Sequence, residues 1–448
     1  MTDHVTATEN HVYLPEDEVP LPLAATLGIQ HVLAMFGATV LAPILMGFDP
    51  NTAIFLSGIA TIVFILVTRK RVPSYLGSSF AFIAAVAVAS GYSGNGPNPN
   101  LPVALGGIVV AGILYGIVAI VVMLAGYRFI ERLFPDVVSG TIVGIIGISL
   151  AGVAINQIGA DPFGVMAALL TLGVVVAWSV YAPGRFARGA RSGNPMLRIF
   201  EIVPIIIGGL AGYTFYVVGA NMFGRADPVD MGAIAAAPWF GLPTFTAPVF
   251  NLQACLTVAP VVIVLVAENL GHVKAIGAMI DRDLNDQVGR TFLGDAIGTT
   301  FSGMLGGPGL TTYAENMAVM RLSNNFASVT FVVAGLFAMV LGFSPKFGAV
   351  IQSIPMPVIG GLSLAMFGLI TAAAGSIWQR GIRQGTINFL ETRTLLVVGI
   401  GLVVGAGNLT FKFYGAEISG IVSATLVTVI LYHLLHIGRR PATAPAAS

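Results

Sequence analysis

Apolar segments long enough to cross a lipid bilayer recur along almost the whole chain. A spanning helix needs about 20 mainly apolar residues. Of the 448 residues, 56% are hydrophobic and only 9% are charged, which is too few charges for a water-facing surface of this size. The pattern therefore predicts an all-α polytopic membrane protein. The clear runs lie near residues 22–46, 51–68, 103–126, 137–156, 164–182, 199–221, 253–273, 326–343, 350–374, 394–408 and 414–437.

Three further stretches, 77–91, 291–305 and 310–322, are short, glycine-rich or interrupted. Counting them as spans predicts fourteen transmembrane segments. With both termini in the cytoplasm, all Lys and Arg residues except Arg225, Lys346 and Lys412 then face inward, as the positive-inside rule expects. The acidic N-terminal tail lacks the basic start of a cleavable signal peptide. We expect a multi-pass protein of the cytoplasmic (inner) membrane.

A weak internal repeat favours a seven-plus-seven arrangement. Pro135-x-x-Val138-x-Gly140 opens the fifth span, and Pro355-x-x-Val358-x-Gly360 opens the twelfth. Because seven is odd, the two halves would insert with opposite orientation. Transporters built this way bind substrate at the repeat interface near the midplane of the bilayer.

The short third and tenth spans are the most informative segments. The third contains Pro73-Ser-Tyr-Leu-Gly-Ser-Ser-Phe80, and the tenth contains Gly306-Gly-Pro-Gly-Leu-Thr-Thr-Tyr-Ala-Glu-Asn316. Each predicts a short extended strand that breaks the span, followed by a half-helix. Extended backbone at membrane depth is tolerated where it is buried in protein or lines a cavity, and the half-helix would offer free N–H groups to a ligand. The alternative is that glycine only permits close helix packing.

Ionisable residues inside the spans are candidates for proton handling, because a charge in the bilayer is costly. Glu268 and His272 are four residues apart and share a helix face. Glu315 lies at the break of the tenth span, Asp295 is predicted either to position that span or to cap a helix, and His31 lies in the first span. A structural hydrogen-bonded pair is the alternative for Glu268 and His272.

Composition and motifs exclude several classes of function. A single cysteine, Cys255, excludes a disulfide framework and a cysteine-ligated metal cluster, and a net charge of +1 gives no sign of a nucleic-acid partner. No span holds a protease-like Ser–His pair or a zinc motif, so no enzyme activity, cofactor or metal is expected.

Four ordered motifs resemble the nucleobase–ascorbate transporter family, and within it the bacterial uracil and pyrimidine permeases. The motifs are Gln30-His31-x-x-Ala34-Met-Phe-Gly-Ala-Thr39, Tyr75-Leu-Gly-Ser-Ser-Phe80, Ala267-Glu-Asn-Leu-Gly-His272 and Thr311-Thr-Tyr-Ala-Glu-Asn316. The resemblance implies proton symport, a homodimer, and a core domain (21–126 and 251–345) beside a gate domain (127–250 and 346–437), with cytoplasmic tails at 1–20 and 438–448.

The resemblance also implies roles for single residues. Glu268, His272 and Glu315 correspond to the functional acids and histidine of the family, the backbone of Ala314 contributes to the site, and Phe80 forms an aromatic wall. We expect Ser79, Tyr313 and Phe367 beside them. The sequence departs from the family pattern after Asn316, at Ala318, Ser323 and Asn324, where Arg321 could supply the displaced charge, and Phe367 replaces a tyrosine common in uracil permeases.

These observations predict a proton-coupled symporter for uracil or a related pyrimidine. Uracil presents two N–H donors and two carbonyl acceptors around a flat ring, which two carboxyl groups, backbone N–H groups and an aromatic face can match. A purine symporter (xanthine or uric acid) of the same family is the alternative. A carrier of another anion is disfavoured by the two acids, and a passive channel stays open.

Overall fold

The computed structural model describes residues 12–94, 96–190, 203–418 and 420–437, with the backbone alone for 183–190. Most of the predicted N-terminal tail, the whole predicted C-terminal tail, and Arg191 and Arg198, both predicted to face the cytoplasm, lie outside these ranges. The described chain is mostly helical, as expected where no water is present to satisfy backbone groups. Its α-helices are α1 Leu21–Met46, α2 Pro50–Val67, α3 Ile83–Ser90, α4 Leu101–Ala125, α5 Arg128–Leu133, α6 Asp136–Ser149, α7 Ala151–Ile158, α8 Pro162–Ala190, α9 Pro204–Val217, α10 Met231–Ala236, α11 Leu252–Val258, α12 Val261–Ile280, α13 Val288–Leu305, α14 Glu315–Ser323, α15 Ser328–Gly342, α16 Pro345–Gln352, α17 Met356–Arg383, α18 Thr392–Ala406 and α19 Ile421–Leu435. Its strands are β1 Leu76–Ser78, β2 Leu310–Thr312, β3 Phe411–Phe413 and β4 Ala416–Ile418, and short 3₁₀ and π turns cover Phe80–Phe82, Asn285–Gln287 and Val218–Met222.

Eight helical segments of the described chain are long and apolar enough to cross a membrane, and α15 with α16 forms a ninth if this pair, bent by 81°, counts as one span. Shorter apolar helices cover Phe80–Ser90, Thr392–Ala406 and Ile421–Leu435. The protein is therefore a multi-pass membrane protein.

Two predicted span bounds are wrong, and local chemistry explains both. The run predicted from 350 is interrupted after Gln352, because Pro355 disfavours helical backbone in the residue before it; α17 starts at Met356. The run predicted from 414 begins with a hairpin, because Tyr414 and Gly415 both have positive φ (49° and 79°), as a tight two-residue turn requires. The last helix starts only at Ile421.

Strands β1 and β2 come from opposite halves of the chain and pair with each other in the protein interior. They are antiparallel, with Leu76 opposite Thr312 and Ser78 opposite Leu310, and all six residues are buried. Each strand is followed by a half-helix, Phe80–Ser90 after β1 and α14 after β2. The pair thus fixes the starts of both half-helices relative to each other.

Two threonine side chains make hydrogen bonds to backbone groups at the outer edges of this sheet, where no further strand is present to bond them. Leu76 N–H donates to Thr61 Oγ1 (2.9 Å), and that hydroxyl lies 3.4 Å from the Leu76 carbonyl. On the other edge, Leu310 N–H donates to Thr299 Oγ1 (3.1 Å), whose hydroxyl donates to the Leu310 carbonyl (3.0 Å). A two-stranded sheet has two open edges, and each unpaired group in a dry interior costs free energy. Equivalent threonines of α2 and α13 therefore replace the missing neighbouring strands.

Charged side chains of several elements meet at one end of the bundle. Lys274 Nζ lies 3.0 Å from Glu131 Oε1, and Arg282 pairs with Glu16 at 2.8 Å. Lys274, Glu131 and Arg282 line one polar cavity of about 290 Å³. His433 near the end of α19 contacts a carbonyl of α5 at 3.2 Å. The first described segment and the last helix thus reach the same end of the molecule.

Candidate functional site

An interior cavity of about 250 Å³ lies between the two half-helix starts, α12, α6 and α17. Its wall is largely apolar, with polar groups concentrated on the side of α12 and β2. The lining residues are Phe80, Val143, Ile146, Glu268, Gly271, His272, Ala275, Thr311, Thr312, Tyr313, Ala314, Glu315, Met317, Ile370, Ala373, Ser376 and Ile377. Apolar walls with a few convergent polar groups are typical of small-molecule sites.

Both interrupted spans deliver a helix N-terminus to this cavity. Phe80 begins the 3₁₀ turn after β1, and Glu315 is the first residue of α14 after β2. The first N–H groups of a helix have no partner within the helix, and the helix dipole makes this end electropositive. The cavity can therefore offer backbone donors to a polar ligand from two sides.

Two carboxyl groups from different helices face the same space. Glu268 and His272 of α12 and Glu315 of α14 all line the cavity and are only partly buried. Glu268 Oε2 has no hydrogen-bond partner among the described residues. A buried carboxyl oxygen without a partner is costly, so this atom is placed to bond a ligand or to hold a proton.

A chain of hydrogen bonds holds the histidine. His272 Nδ1 lies 2.8 Å from Thr312 Oγ1, and the Thr312 hydroxyl donates to Asn269 Oδ1. Asn269 Nδ2 donates to the Tyr115 hydroxyl at 2.8 Å. Thr312 has one proton, which it donates to Asn269, so Nδ1 of His272 carries a proton. In the neutral imidazole, Nε2 is then the proton acceptor.

Three residues predicted beside the substrate have mainly supporting contacts. The Ser79 side chain accepts from Ala81 N–H (3.3 Å) at the start of the half-helix. The Tyr313 hydroxyl donates to the Ser78 carbonyl (2.9 Å), which ties the two breaks together, although Tyr313 also lines the cavity. Phe367 packs edge-on against Phe80 at 5.6 Å and stands behind the aromatic wall.

Two predicted proton-handling residues lie away from the cavity wall. Asp295 of α13 is fully buried, and neither carboxylate oxygen has a hydrogen-bond partner within the described part of the chain. His31 of α1 is also fully buried; its Nδ1 lies 3.0 Å from Asn316 Nδ2, and its ring packs on Phe331 at 4.4 Å. His31 thus links α1 to the half-helix α14.

Several residues in or beside the candidate site were not predicted from the sequence. Asn269, Thr311 and Thr312 stand inside the quoted motifs, so the motifs themselves were the available signal. The apolar wall opposite the acids comes from α6 and α17 and includes Val143, Ile146, Ile370 and Ile377. Such side chains look like ordinary lipid-facing or packing residues in a sequence this apolar.

These features define a class: a multi-pass membrane protein with a small, largely apolar cavity between broken helices, into which two carboxyl groups and a histidine project. Residues 23–412 match the Permease family (Xan_ur_permease), and the chain belongs to this family. It is 43% identical over 430 residues to the provisionally named pyrimidine permease RutG of Escherichia coli (strain K12), covering 96% of this chain and 93% of that protein. It is 35% identical over 425 residues to the uracil permease of Bacillus caldolyticus, covering 92% and 91%. The predicted resemblance to bacterial uracil and pyrimidine permeases is confirmed, and these relatives are permeases rather than enzymes.

Solved structures show the same fold at low sequence identity. The transmembrane domain of the cyanobacterial bicarbonate transporter BicA aligns with a TM-score of 0.60 and 16% identity, covering 93% of this chain and 98% of that one. The anion transporter SLC26A9 aligns with a TM-score of 0.62 and 10% identity, covering 92% of this chain and 65% of that one.

Proposed function

We propose that the protein imports uracil or a related pyrimidine across the cytoplasmic membrane in symport with protons. The observation that carries the proposal is that Glu268 and Glu315, from two different helices, face one small cavity with the aromatic Phe80 on its wall. The pyrimidine and uracil permeases that match nearly the full length of the chain support the same substrate class.

The donor and acceptor pattern of the cavity suits a pyrimidine. Glu315 and Glu268 accept from ring N–H groups, or donate to a carbonyl when protonated, while half-helix N–H groups bond the remaining carbonyl. The Ala314 backbone contributes at this N-terminus, and Phe80 covers a ring face. Matching every polar edge rejects analogues that lack one, because a buried group would stay unpaired.

Proton coupling is assigned first to Glu268. Glu268 lines the cavity and has one carboxyl oxygen without a partner among the described residues, and His272 stands one turn away with its Nδ1 bonded to Thr312. Glu315 is the second acid of the site. Asp295 and His31 lie outside the cavity wall. If they contribute to coupling, they would do so indirectly: Asp295 through the packing of α13, and His31 through the contact of α1 with α14.

The proposed membrane topology is fourteen spans as a seven-plus-seven inverted repeat, with both termini in the cytoplasm. Two findings support it. The first described segment and the last helix reach the same end of the bundle, which requires an even number of crossings. Thr61 and Thr299 play equivalent parts on the two edges of the β1–β2 sheet, as related halves would provide.

The proposed mechanism is alternating access between a core domain (21–126 and 251–345) and a gate domain (127–250 and 346–437) in a homodimer. In this division the polar side of the cavity, with β1, β2 and the acids, belongs to the core. The apolar wall of Val143, Ile146, Ile370 and Ile377 belongs to the gate. Movement of an apolar wall past a polar site would open the cavity without breaking its hydrogen bonds.

A purine symporter is the second candidate, because it would use the same acids. The cavity, at about 250 Å³, suits a ligand as small as a nucleobase, and the pyrimidine and uracil permeases among the relatives favour the pyrimidine.

Uptake of radiolabelled uracil into proteoliposomes tests the proposal. Uptake should rise with an inward proton gradient, collapse with a protonophore, and be inhibited by unlabelled uracil more than by xanthine or uric acid. Uptake that follows sodium and ignores the protonophore would refute proton coupling, and stronger inhibition by purines would favour the second candidate.

A further inference from the structure

A second cavity, of about 300 Å³, lies between α1, α9, α16 and α17 and shares no lining residue with the substrate cavity. Its wall is almost entirely hydrocarbon. The lining residues that decide its shape and its opening are Gly37, Ile205, Gly209, Leu210, Val350 and Leu362. We propose that this cavity binds an acyl chain of a membrane phospholipid.

Two glycines shape this cavity: Gly37 allows two helices to pack closely, whereas Gly209 leaves open space beside its helix. A Cβ on Gly37 would lie 2.8 Å from Ile205 Cγ2, so this glycine lets α1 and α9 approach closely, as glycine usually does between membrane helices. A Cβ on Gly209 would meet only Leu362, at an ordinary 3.4 Å. Gly209 therefore leaves space in front of α9 instead of closing it.

The cavity reaches the outer surface of the helix bundle. Leu210 and Val350 both line it, and they are 58% and 42% exposed. In a membrane protein this outer helical surface faces lipid, so lipid tails have direct access to the opening.

The chemistry of the wall selects the occupant. Apolar cavities of this kind exclude water and take apolar molecules, because water would lose its hydrogen bonds there. A nucleobase would leave its polar edges unpaired in such a wall. The one hydroxyl of the lining, on Tyr213, already bonds to Ser353 Oγ at 2.9 Å. A flexible hydrocarbon chain fills the space and restores the dispersion contacts that an empty cavity lacks.

The test uses the full-length protein in nanodiscs that contain phosphatidylethanolamine with a photoactivatable diazirine in its acyl chain. After irradiation, mass spectrometry should find peptides labelled at the buried cavity residues Val40, Leu41 or Ile351, which bulk lipid does not reach because they are at most 5% exposed. Gly209→Phe should abolish this labelling, because its side chain occupies the cavity. Gly173→Phe is the matched control: Gly173 lies on α8 with nothing within 4 Å of an added Cβ, and labelling should persist.

Several results would overturn the proposal. Absence of label from these peptides in the unmodified protein would do so, as would labelling that survives in Gly209→Phe. Cross-links between two copies at the same peptides would assign the cavity to a second subunit. If Gly209→Phe fails to fold, Gly209→Leu provides a smaller filling group, and the labelling map of the unmodified protein decides the question without any variant.

Discussion

The described chain contains two antiparallel two-stranded sheets with opposite surroundings. β1 and β2 join distant parts of the chain, are wholly buried, and carry the starts of the half-helices at the candidate site. β3 and β4 are joined by a two-residue turn at Tyr414 and Gly415, and all of β3 is exposed. The same hydrogen-bond pattern thus serves a ligand site in one place and a surface hairpin in the other.

The difference shows where each sheet obtains its stability. The β3–β4 hairpin depends on a turn with positive φ at both positions, a local property of its sequence, and its exposed edge at β3 can bond to water. The β1–β2 sheet has no turn between its strands, and all of its residues are buried. It depends on Thr61, Thr299 and the packing around it, and each of these can be changed singly.

The largest effect is expected from removing both edge hydroxyls. Thr61→Val with Thr299→Val leaves the N–H of Leu76 and both the N–H and C=O of Leu310 unpaired, at about 1–3 kcal/mol for each buried group. We expect a clearly lower thermal unfolding temperature in detergent and loss of uracil binding. Thr410→Val is the control, because its hydroxyl bonds an exposed carbonyl beside the hairpin and should change stability by under about 0.5 kcal/mol.

An unchanged unfolding temperature in the double variant would mean that the sheet edges are satisfied in another way. The single variants should each show part of the effect, since the two threonines act on opposite edges.

The second largest effect on stability and binding is expected from a steric clash at Gly77. A Cβ on Gly77 of β1 would overlap the ring of Tyr313, whose hydroxyl bonds the Ser78 carbonyl. Gly77→Ala should therefore cost about 1–3 kcal/mol, as overpacking does, and weaken uracil binding. Gly415→Ala in the hairpin turn should cost only about 1 kcal/mol, from positive φ, and leave binding unchanged.

The origin of this effect can be checked by adding Tyr313→Leu to Gly77→Ala. The smaller side chain should return part of the lost stability in a double-mutant cycle. Additive losses in the cycle would show that Gly77 and Tyr313 do not interact.

The sequence predicted some of these features and could not predict others. The breaks at residues 73–80 and 306–316 were predictable, because Gly, Pro and Ser interrupt apolar runs there. The pairing of β1 with β2 was not, because contacts between distant segments leave no local pattern. Thr61 and Thr299 look like ordinary helix threonines, which commonly bond the carbonyl four residues earlier; Thr61 does so as well, to Ser57 at 2.8 Å.

The candidate site likewise contains residues that could be predicted from the sequence and residues that could not. Glu268, His272 and Glu315 were predictable because an acid or histidine at membrane depth is conspicuous. The apolar gate-side wall was not, because Ile370 and Ile377 resemble every other isoleucine in a membrane helix. The hairpin was missed because its second strand, Ala416–Ile418, leads directly into the apolar residues of the last helix.

Each sheet has an acid in or next to one of its strands, and we expect the two acids to differ in their effect on uracil binding. Glu315 follows β2 and lines the cavity, whereas Glu417 lies in β4 opposite Lys412. Glu315→Ala should weaken uracil binding by about 1–3 kcal/mol or more, because a substrate N–H loses its acceptor in a dry site. Glu417→Ala should leave binding unchanged and change stability by under about 0.5 kcal/mol, as for a substitution away from buried contacts. Near-normal affinity of Glu315→Ala in purified protein would move the site elsewhere.

The smallest effect on binding, and the most specific, is expected at Glu268. Glutamine keeps the shape of the side chain and one acceptor oxygen but can neither ionise nor release a proton. If Glu268 couples proton to substrate, Glu268→Gln should change uracil affinity by less than about tenfold, or ~1.4 kcal/mol, while gradient-driven accumulation is lost. Equilibrium binding in detergent and uptake into proteoliposomes with and without a pH gradient measure the two separately, and Glu417→Gln should leave both intact.

A parallel fall in affinity and accumulation would make Glu268 a binding group only. Accumulation that persists in Glu268→Gln would pass the coupling role to Glu315 or Asp295, because these are the other carboxyl groups in or behind the site. His272→Ala should act in the same direction as Glu268→Gln but more weakly, since it removes a neighbour of the acid and leaves the acid in place.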